Sequence, residues 1–552
     1  MSIMTLRRTW VIFLSVFALL LVYSVAATLL LDRKGYSDDD WANISFPFWD
    51  PIPKAFTEGA IMQRRPIQSV WYGLTLKAVN YNDQATFFLS LGLNIANSLL
   101  MGVALNQAFP NRKLLMTVAI LFAFFLPMRT SMTYMLSADN LRLAVLLYWL
   151  SVIGFQYQAQ RPQIFTPPLL PTLAFMLAML SYEAVAAMPV ATALLVLPVY
   201  LRYQPVNPFW ERVGLAIQLT LTHGIAYVGY LYIRSVYNIT SPFALNFGQV
   251  IPNYGQYFAI LFEYLYQPLQ SVLVLRDPIA LVVGVIIVFV ILGMVTIFFR
   301  ELSPDLTHVS WLNSTPYIAF VFITMILFGL LPFSIYGISV TSSSNSFDAR
   351  VYSFAAFGIA GLLSVLVERA SRFRKSTFRF ATYGLVALSC GVLVSYHMGL
   401  RLSWQQNADM RPDMARNLLN VVPNIADDTT LLMIHPSDEH VIDYYMQMFY
   451  QNRSLRALTI TLDPQFPINV QVGTNGVSTP GKLVPHNQVL IIEQSSTEYR
   501  IIDRITPADN YQIEWQDGIT ELRSNPKRIL PPSGEPNRFH RIIGLNPTEE
   551  VP

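Results

Sequence analysis

Long apolar runs recur through the first three-quarters of the chain, and they decide what it can fold into. Segments of roughly 20 mostly apolar residues, some cut short by proline or a tight hairpin, lie at 10–31, 85–108, 114–130, 137–156, 166–181, 184–201, 213–233, 278–299, 316–336, 352–368 and 380–398. In a bilayer each such run satisfies its own backbone as a helix, which predicts about eleven transmembrane helices. Composition agrees. The chain is 53% hydrophobic and 13% charged, where a soluble protein carries about 25% charged residues. The first run, Trp10 to Leu31, exceeds the roughly 7–15 apolar residues of a cleaved signal, so it is expected to stay as a span. A net charge of +3 without a long basic run argues against nucleic-acid binding. Cys390 is the sole cysteine, so no intrachain disulfide forms and cysteine usage says nothing of compartment.

Basic residues orient the spans. Arg7 and Arg8 place the N-terminus in the cytoplasm. Counting forward puts Arg112-Lys113, Arg161, Arg202 with Arg212, Arg300 and the run Arg369 to Arg379 on the same side. The opposite, outer face receives 32–84, the turns near Arg129–Asp139 and Ser181–Glu183, then 234–277, 337–351 and everything after 399. Acids collect on that face: Asp38, Asp39, Asp40, Asp139, Glu183 and Asp348. The expected architecture is an α-helical polytopic membrane bundle over 1–399, followed by a soluble extracytoplasmic α/β domain over 400–552. In that tail Met414–Val422 and Val441–Tyr450 suit helices. Thr430–His435, Ala457–Leu462, Gln488–Glu493 and Arg500–Ile505 suit short buried strands. The aromatic stretch 254–272 fits either a re-entrant or surface helix lining a lipid groove, or ordinary anchoring in the interface.

Three consecutive acids, Asp38-Asp39-Asp40, sit just past the first span. Crowded at a membrane edge they repel one another, which raises one pKa and makes a usable base. A carboxylate pair also suits a divalent cation such as Mg or Mn; the alternative is a solvated acidic turn. Ser181-Tyr182-Glu183 is the polar point of an otherwise apolar stretch. An ionisable group there marks a functional site by default, with a helix-capping Glu as the alternative. Arg64-Arg65-Pro66 and Asp348-Ala349-Arg350-Val351-Tyr352 put arginines on the outer side, against the positive-inside trend. Paired guanidinium donors there suit a phosphate; an interfacial anchor or an Asp348–Arg350 ion pair are the alternatives. Asp139, Asn140 and Arg142 open the fourth span, either facing the same cavity or simply capping the helix. His223 reads as a structural histidine, and the segment His435 to His440 has no recognised metal-ligand spacing. No nucleotide-binding or hydrolase fingerprint is present.

These motifs, in this order and on one side, resemble the polytopic GT-C glycosyltransferases, which take sugar from a polyprenyl-phosphate carrier on the outer face of the membrane. Asp39-Asp40-Trp41 is similar to their acidic motif past the first span, and Arg65-Pro66 to an Arg-Pro in the same loop. Leu180-Ser181-Tyr182-Glu183 resembles a Leu-Ser-x-Glu element. Asp348-Ala349-Arg350-Val351-Tyr352 resembles a late Glu-Arg-Tyr element, with Asp for Glu and one residue inserted. The resemblance implies that Asp39 or Asp40 deprotonates an acceptor hydroxyl, with Asp38 beside them. Glu183 would orient the acceptor or assist a metal. Arg350 and Arg65 would meet the leaving phosphate, with Arg64, Asp348, Tyr352 and Asp139 lining the site. The partners implied are a polyprenyl-phosphate-linked sugar, membrane lipid, and a glycan, lipid or protein acceptor at the cell envelope. A transporter or flippase for a lipid-linked sugar is the rival class, although it would more often show paired halves; a scaffold without chemistry is the third.

Overall fold

The computed structural model describes residues 3–31, 44–45, 48–49, 65–128, 134–160, 168–203, 208–236, 246–274, 277–298, 313–338, 340, 347–372, 376–434, 442–460, 470–479, 482–495, 498–509, 511, 513–516, 518–531 and 540. Two compact units emerge: Met1–Asp32 with Pro51–Thr75 and Gln84–Trp404, and Arg33–Asp50 with Leu76–Asp83 and Gln405–Pro552.

The first unit is helical. Its chain runs through α1 (Ile3–Leu29), α2 (Pro66–Ala78), α3 (Asp83–Ala108), α4 (Lys113–Phe125), α5 (Asp139–Ala159), α6 (Leu169–Ser181) and α7 (Pro189–Tyr203). It continues with α8 (Pro208–Val236), α9 (Val250–Val274), α10 (Pro278–Ile297), α11 (Thr315–Tyr336), α12 (Ala355–Ser371) and the long α13 (Ser376–Val421). Each of the eleven apolar segments coincides at least in part with a helix, but the helices differ in kind. Among the described residues five stretches are long and apolar enough to cross a membrane: Thr9–Leu29, α3, α10, α11 and Thr377–Gln405. Helices α4, α6 and α7 have 13, 13 and 15 residues. At 1.5 Å per residue they rise only about 20 Å, short of a hydrocarbon core of about 30 Å. Helices α5 and α8 have the length but carry Asp139 and Arg142, or His223 and Arg234. Reading apolar runs alone gave these segments the same weight as the five.

The short α4 is the centre of the unit. Every residue from Leu114 to Phe125 is buried, the pattern of a helix surrounded by others; α12 and α1 pack on it. By contrast α10 has a mean hydropathy of 3.1 with only 28% of its window buried. Val282, Ile286 and Phe289 point outward, as lipid-facing side chains would. Local chemistry sets the helix ends. Asp277 caps α10 by accepting from the N–H of Ile279 at 3.0 Å, with Pro278 in the first turn. Helix α11 starts at a Ser314 cap and stops at Gly337, whose φ of +66° is the left-handed conformation glycine tolerates. Helices α11 and α12 approach closely at Gly358, where a Cβ would lie 2.6 Å from the Phe322 carbonyl oxygen.

Three buried arginine–carboxylate pairs tie helix ends together. Arg112 meets Glu368 at 2.9 Å and the Asn313 carbonyl. Arg401 meets Asp277 at 3.0 Å and the Leu30 carbonyl at 3.1 Å. Arg142 meets Asp139 and the Met135 carbonyl. Each arginine thus neutralises a carboxylate and also donates to a backbone carbonyl, and in the case of Arg401 that is the Leu30 carbonyl, one that the C-terminal end of α1 would leave bare.

The second unit contains strands, and its core is parallel. Strand β1 (Asn424–Ile425) is followed by β2 (Thr430–Ile434), helix α14 (Ile442–Phe449) and β3 (Arg456–Ile460). Then come β4 (Gln471–Gly473), β5 (Gly476–Thr479), β6 (Lys482–Val484), β7 (Val489–Ser495) and β8 (Glu498–Ile501). Strand β2 pairs in parallel with β3 and β7, and β8 closes the sheet antiparallel. All five residues of β2 are buried, as a central parallel strand requires. A second sheet orders β4, β5 and β6 behind Glu514–Trp515. The stretch Met414–Val422, expected as a separate helix, forms the final turns of α13. The apolar run ends near His397, but loss of hydrophobicity does not end a helix.

Candidate functional site

In the first unit, one carboxylate gathers two arginines from distant parts of the chain. Pro66 locks the first turn of α2, and the carbonyl of Arg65 accepts the N–H of Gln68 at 3.1 Å, so the Arg65 side chain leaves from the helix start. Its Nε donates to Glu183 Oε2 at 3.1 Å. Glu183 is presented by a break between helices. Helix α6 stops at Ser181, Tyr182 is extended, and Glu183 opens a 3-10 turn to Ala187. The other oxygen of Glu183 accepts from Arg234 Nη1 at 3.3 Å. Arg234 lies in the last turn of α8 and also donates to the Tyr230 hydroxyl at 2.6 Å. The Tyr227 hydroxyl donates to the Ala186 carbonyl, pinning α8 to the turn that carries Glu183. The Arg65 guanidinium lies 4.1 Å from the centroid of the Tyr182 ring, a cation–π contact.

Among the described residues two guanidiniums face this one carboxylate. Burial alone would lower the pKa of Arg65, but the Glu183 carboxylate, aided by neighbouring tyrosines, outweighs it and holds the value above the ordinary one. Both guanidiniums are fixed cations. Neither pair is tight, since charge-assisted N–H···O bonds usually measure about 2.7–2.9 Å.

A second acid singled out in the sequence, Asp139, is closed off. It starts α5, accepts from Ser90 Oγ at 2.7 Å and pairs with Arg142 three residues on. Asn140 beside it donates to Gln68 Oε1 at 2.8 Å, and Tyr72 donates to the Leu136 carbonyl at 3.1 Å. These bonds bind α2, and with it Arg65, to the start of α5. Tyr352 is fully buried and donates to the Tyr257 carbonyl at 2.8 Å, which fixes the turn Phe347–Tyr352 to α9. Arg350 lies half-buried in that turn. The aromatic stretch 254–272 is part of α9: Tyr257, Leu261 and Tyr264 face inward, while Ile251, Phe262, Tyr266 and Leu273 are exposed. His223 stacks between Phe155 and Phe175, and its Nδ1 meets the Leu219 carbonyl at 2.6 Å.

Of the residues singled out in the sequence, Arg65 and Glu183 are brought together, and Asp139 is engaged by Arg142 and Ser90. Asp38, Asp39, Asp40, Arg64 and the segment His435 to His440 lie outside the described residues, as does the side chain of Asp348. Arg234 was missed. It carries the signal that marked Arg65 and Arg350, a basic residue at the end of an apolar run on the side expected to face outward, but no motif surrounds it. Among the described residues no three His, Cys, Asp or Glu side chains assemble into a metal-binding group. No family model matches this sequence, and no curated protein matches it.

Proposed function

We propose that this protein is an integral-membrane glycosyltransferase of the GT-C type, moving a sugar from a polyprenyl-phosphate carrier to an acceptor on the outer face of the membrane. One observation carries the reading. Arg65 and Glu183, drawn from two separate motifs of the resemblance and 118 residues apart, form an ion pair. Arg234 joins them, so two guanidinium groups meet in a partly open position. A leaving polyprenyl phosphate develops negative charge as the bond from its oxygen to the anomeric carbon breaks. Preorganised guanidinium donors stabilise that charge most where water is scarce. Arg65 and Arg234 take this part; Arg64 and Arg350 remain candidates from the sequence.

In this mechanism a carboxylate, Asp39 or Asp40, takes the proton of the acceptor hydroxyl. The acceptor oxygen attacks the anomeric carbon, and polyprenyl phosphate departs with the bonding electrons. The assignment of the base rests on sequence alone, and no step needs a metal. About eleven crossings, a cytoplasmic N-terminus and an extracytoplasmic C-terminal domain belong to the same proposal. The ion pairs among the described residues of the first unit favour that count. Arg112 with Glu368 joins ends assigned to the cytoplasm. Arg65 and Arg234 with Glu183, and Arg401 with Asp277, join ends assigned to the outer face. One span too many or too few would put some of these partners on opposite sides of the bilayer.

The test is direct. Purified protein in lipid is given polyprenyl-phosphate sugars labelled in the sugar, and loss of label from the lipid to an acceptor is followed. Transfer by the natural protein and none by a folded Asp39→Asn variant is expected. Movement of the intact lipid-linked sugar across the bilayer, without cleavage, would instead make the protein a flippase.

A further inference from the structure

We infer that Glu183 is an internal counter-ion occupying the place of the substrate's phosphate, and that the incoming phosphate displaces it from Arg65 and Arg234. The identity of the anion rests on the transferase reading; the bridging of two arginines by one partly exposed carboxylate does not. Glu183 presents its two oxygens to two different arginines, at 3.1 and 3.3 Å. This is how a tetrahedral phosphate bridging both guanidiniums would spread its own oxygens. Arg65 engages Glu183 through Nε alone, not through the two-nitrogen fork that makes Arg–carboxylate pairs tight. Arg234 shares one nitrogen between Glu183 and Tyr230. The arginines have anchors that survive loss of the carboxylate: Arg65 on the Tyr182 ring, Arg234 on the Tyr230 hydroxyl. The side chains of Arg65, Glu183 and Arg234 are 26%, 22% and 14% exposed, so water and ligand reach them. The Asp139 pair, at 2% and 3%, has no such access.

A carboxylate in that position works against an anion until it moves aside. It lowers resting affinity for phosphate, and it prevents two bare guanidiniums from sharing a low-dielectric edge when no ligand is bound. A residue that orients an acceptor or shuttles a proton would behave differently, because its removal would spare phosphate binding.

Binding of a long-chain isoprenyl monophosphate is to be measured by titration in neutral phosphatidylcholine nanodiscs holding the full chain, with inorganic phosphate as a second ligand. Glu183→Gln is expected to bind the isoprenyl phosphate about tenfold tighter than the natural protein, and Arg234→Gln about tenfold weaker. Arg234→Gln leaves a neutral Arg65–Glu183 pair, so it keeps the inference testable if Glu183→Gln does not fold. A response to isoprenyl phosphate alone assigns the anion to the lipid; the same order with inorganic phosphate assigns it to phosphate generally, and either result supports displacement. Unchanged or weaker binding by folded Glu183→Gln, undiminished binding by Arg234→Gln, or no binding by any form would overturn the inference. Binding in the expected order without sugar transfer would remove the transferase reading and leave the counter-ion role intact.

Discussion

Two ion-pair clusters of the first unit use the same residue types to opposite ends. At Asp139 one carboxylate meets one arginine, both almost fully buried, with Ser90 and a backbone carbonyl completing the set. At Glu183 one carboxylate meets two arginines, all partly exposed, at longer distances. The first cluster is closed, like those at Glu368 and Asp277, and its business is to hold helix ends; Glu368 meets two arginines, Arg112 and Arg372, and is still almost fully buried. The second is open, which is what an anion site needs and what a structural clamp avoids. Sequence made the two acids look equivalent; burial separates them.

The sharpest way to break the comparison is to remove an arginine from each cluster. Arg142→Ala strands a buried Asp139 carboxylate and should cost about 3–5 kcal/mol of stability, read from thermal unfolding in detergent. Arg65→Gln should cost under about 1 kcal/mol, because its pair is partly solvated. It should slow sugar transfer about a hundredfold, as loss of one preorganised charge-stabilising donor does elsewhere. If the two variants swapped these effects, the division between clamp and site would be wrong. A finer probe is Asn140→Ala, which cuts the bond to Gln68 that seats α2. Loss of that buried hydrogen bond should cost about 1–3 kcal/mol and loosen Arg65, so the phosphate affinity should fall, while that of an Asn140→Gln variant, whose amide still offers Gln68 Oε1 a donor, should fall less.

The smallest effect lies in the second unit. His540 packs on Phe449 at 4.9 Å between ring centroids, and burial holds its pKa below the usual histidine value, partly offset by a hydrogen bond with the Phe449 backbone. The neutral form is therefore favoured when folded. Its contribution is complete above the unfolded pKa of about 6.5 and declines as pH falls from there toward the lower folded value. Hydrogen-exchange protection in α14, taken relative to the intrinsic rate at each pH, should fall between about pH 7 and pH 5, and a His540→Phe variant should show less of this trend. The arginine clusters serve as the internal contrast, since their guanidiniums do not titrate in that window.

Much of this was legible in the chain before folding. Apolar length announced the helices, and the strands β2, β3 and β7 stood out as short runs of Leu, Ile and Val between turn residues. Arg65 and Glu183 were visible as charges where charge is costly. What the pattern could not carry was partnership. Nothing in local spacing says that Arg234 reaches Glu183, 51 residues away, because the hairpin that joins them is a matter of tertiary packing. Nor could it tell Asp139 from Glu183. Arg142 at the third position on was a visible helix-face partner, but its burial, which turns a surface pair into a clamp, depends on α3 supplying Ser90. Helix length was the other blind spot. Leu114 to Phe125 is a 12-residue run buried throughout, and nothing in its sequence showed that other helices surround it, since an apolar run reads the same whether lipid or protein lies around it.

The most direct measurement is transfer of labelled sugar from a polyprenyl-phosphate donor, comparing the natural protein with the double variant Arg65→Gln/Arg234→Gln in the same lipid. The account predicts that label leaves the carrier with the natural protein and stays on it, at least about a hundredfold longer, with a double variant that melts normally. Equal rates for the two proteins, or no transfer by the natural one with any polyprenyl-phosphate sugar, would contradict it.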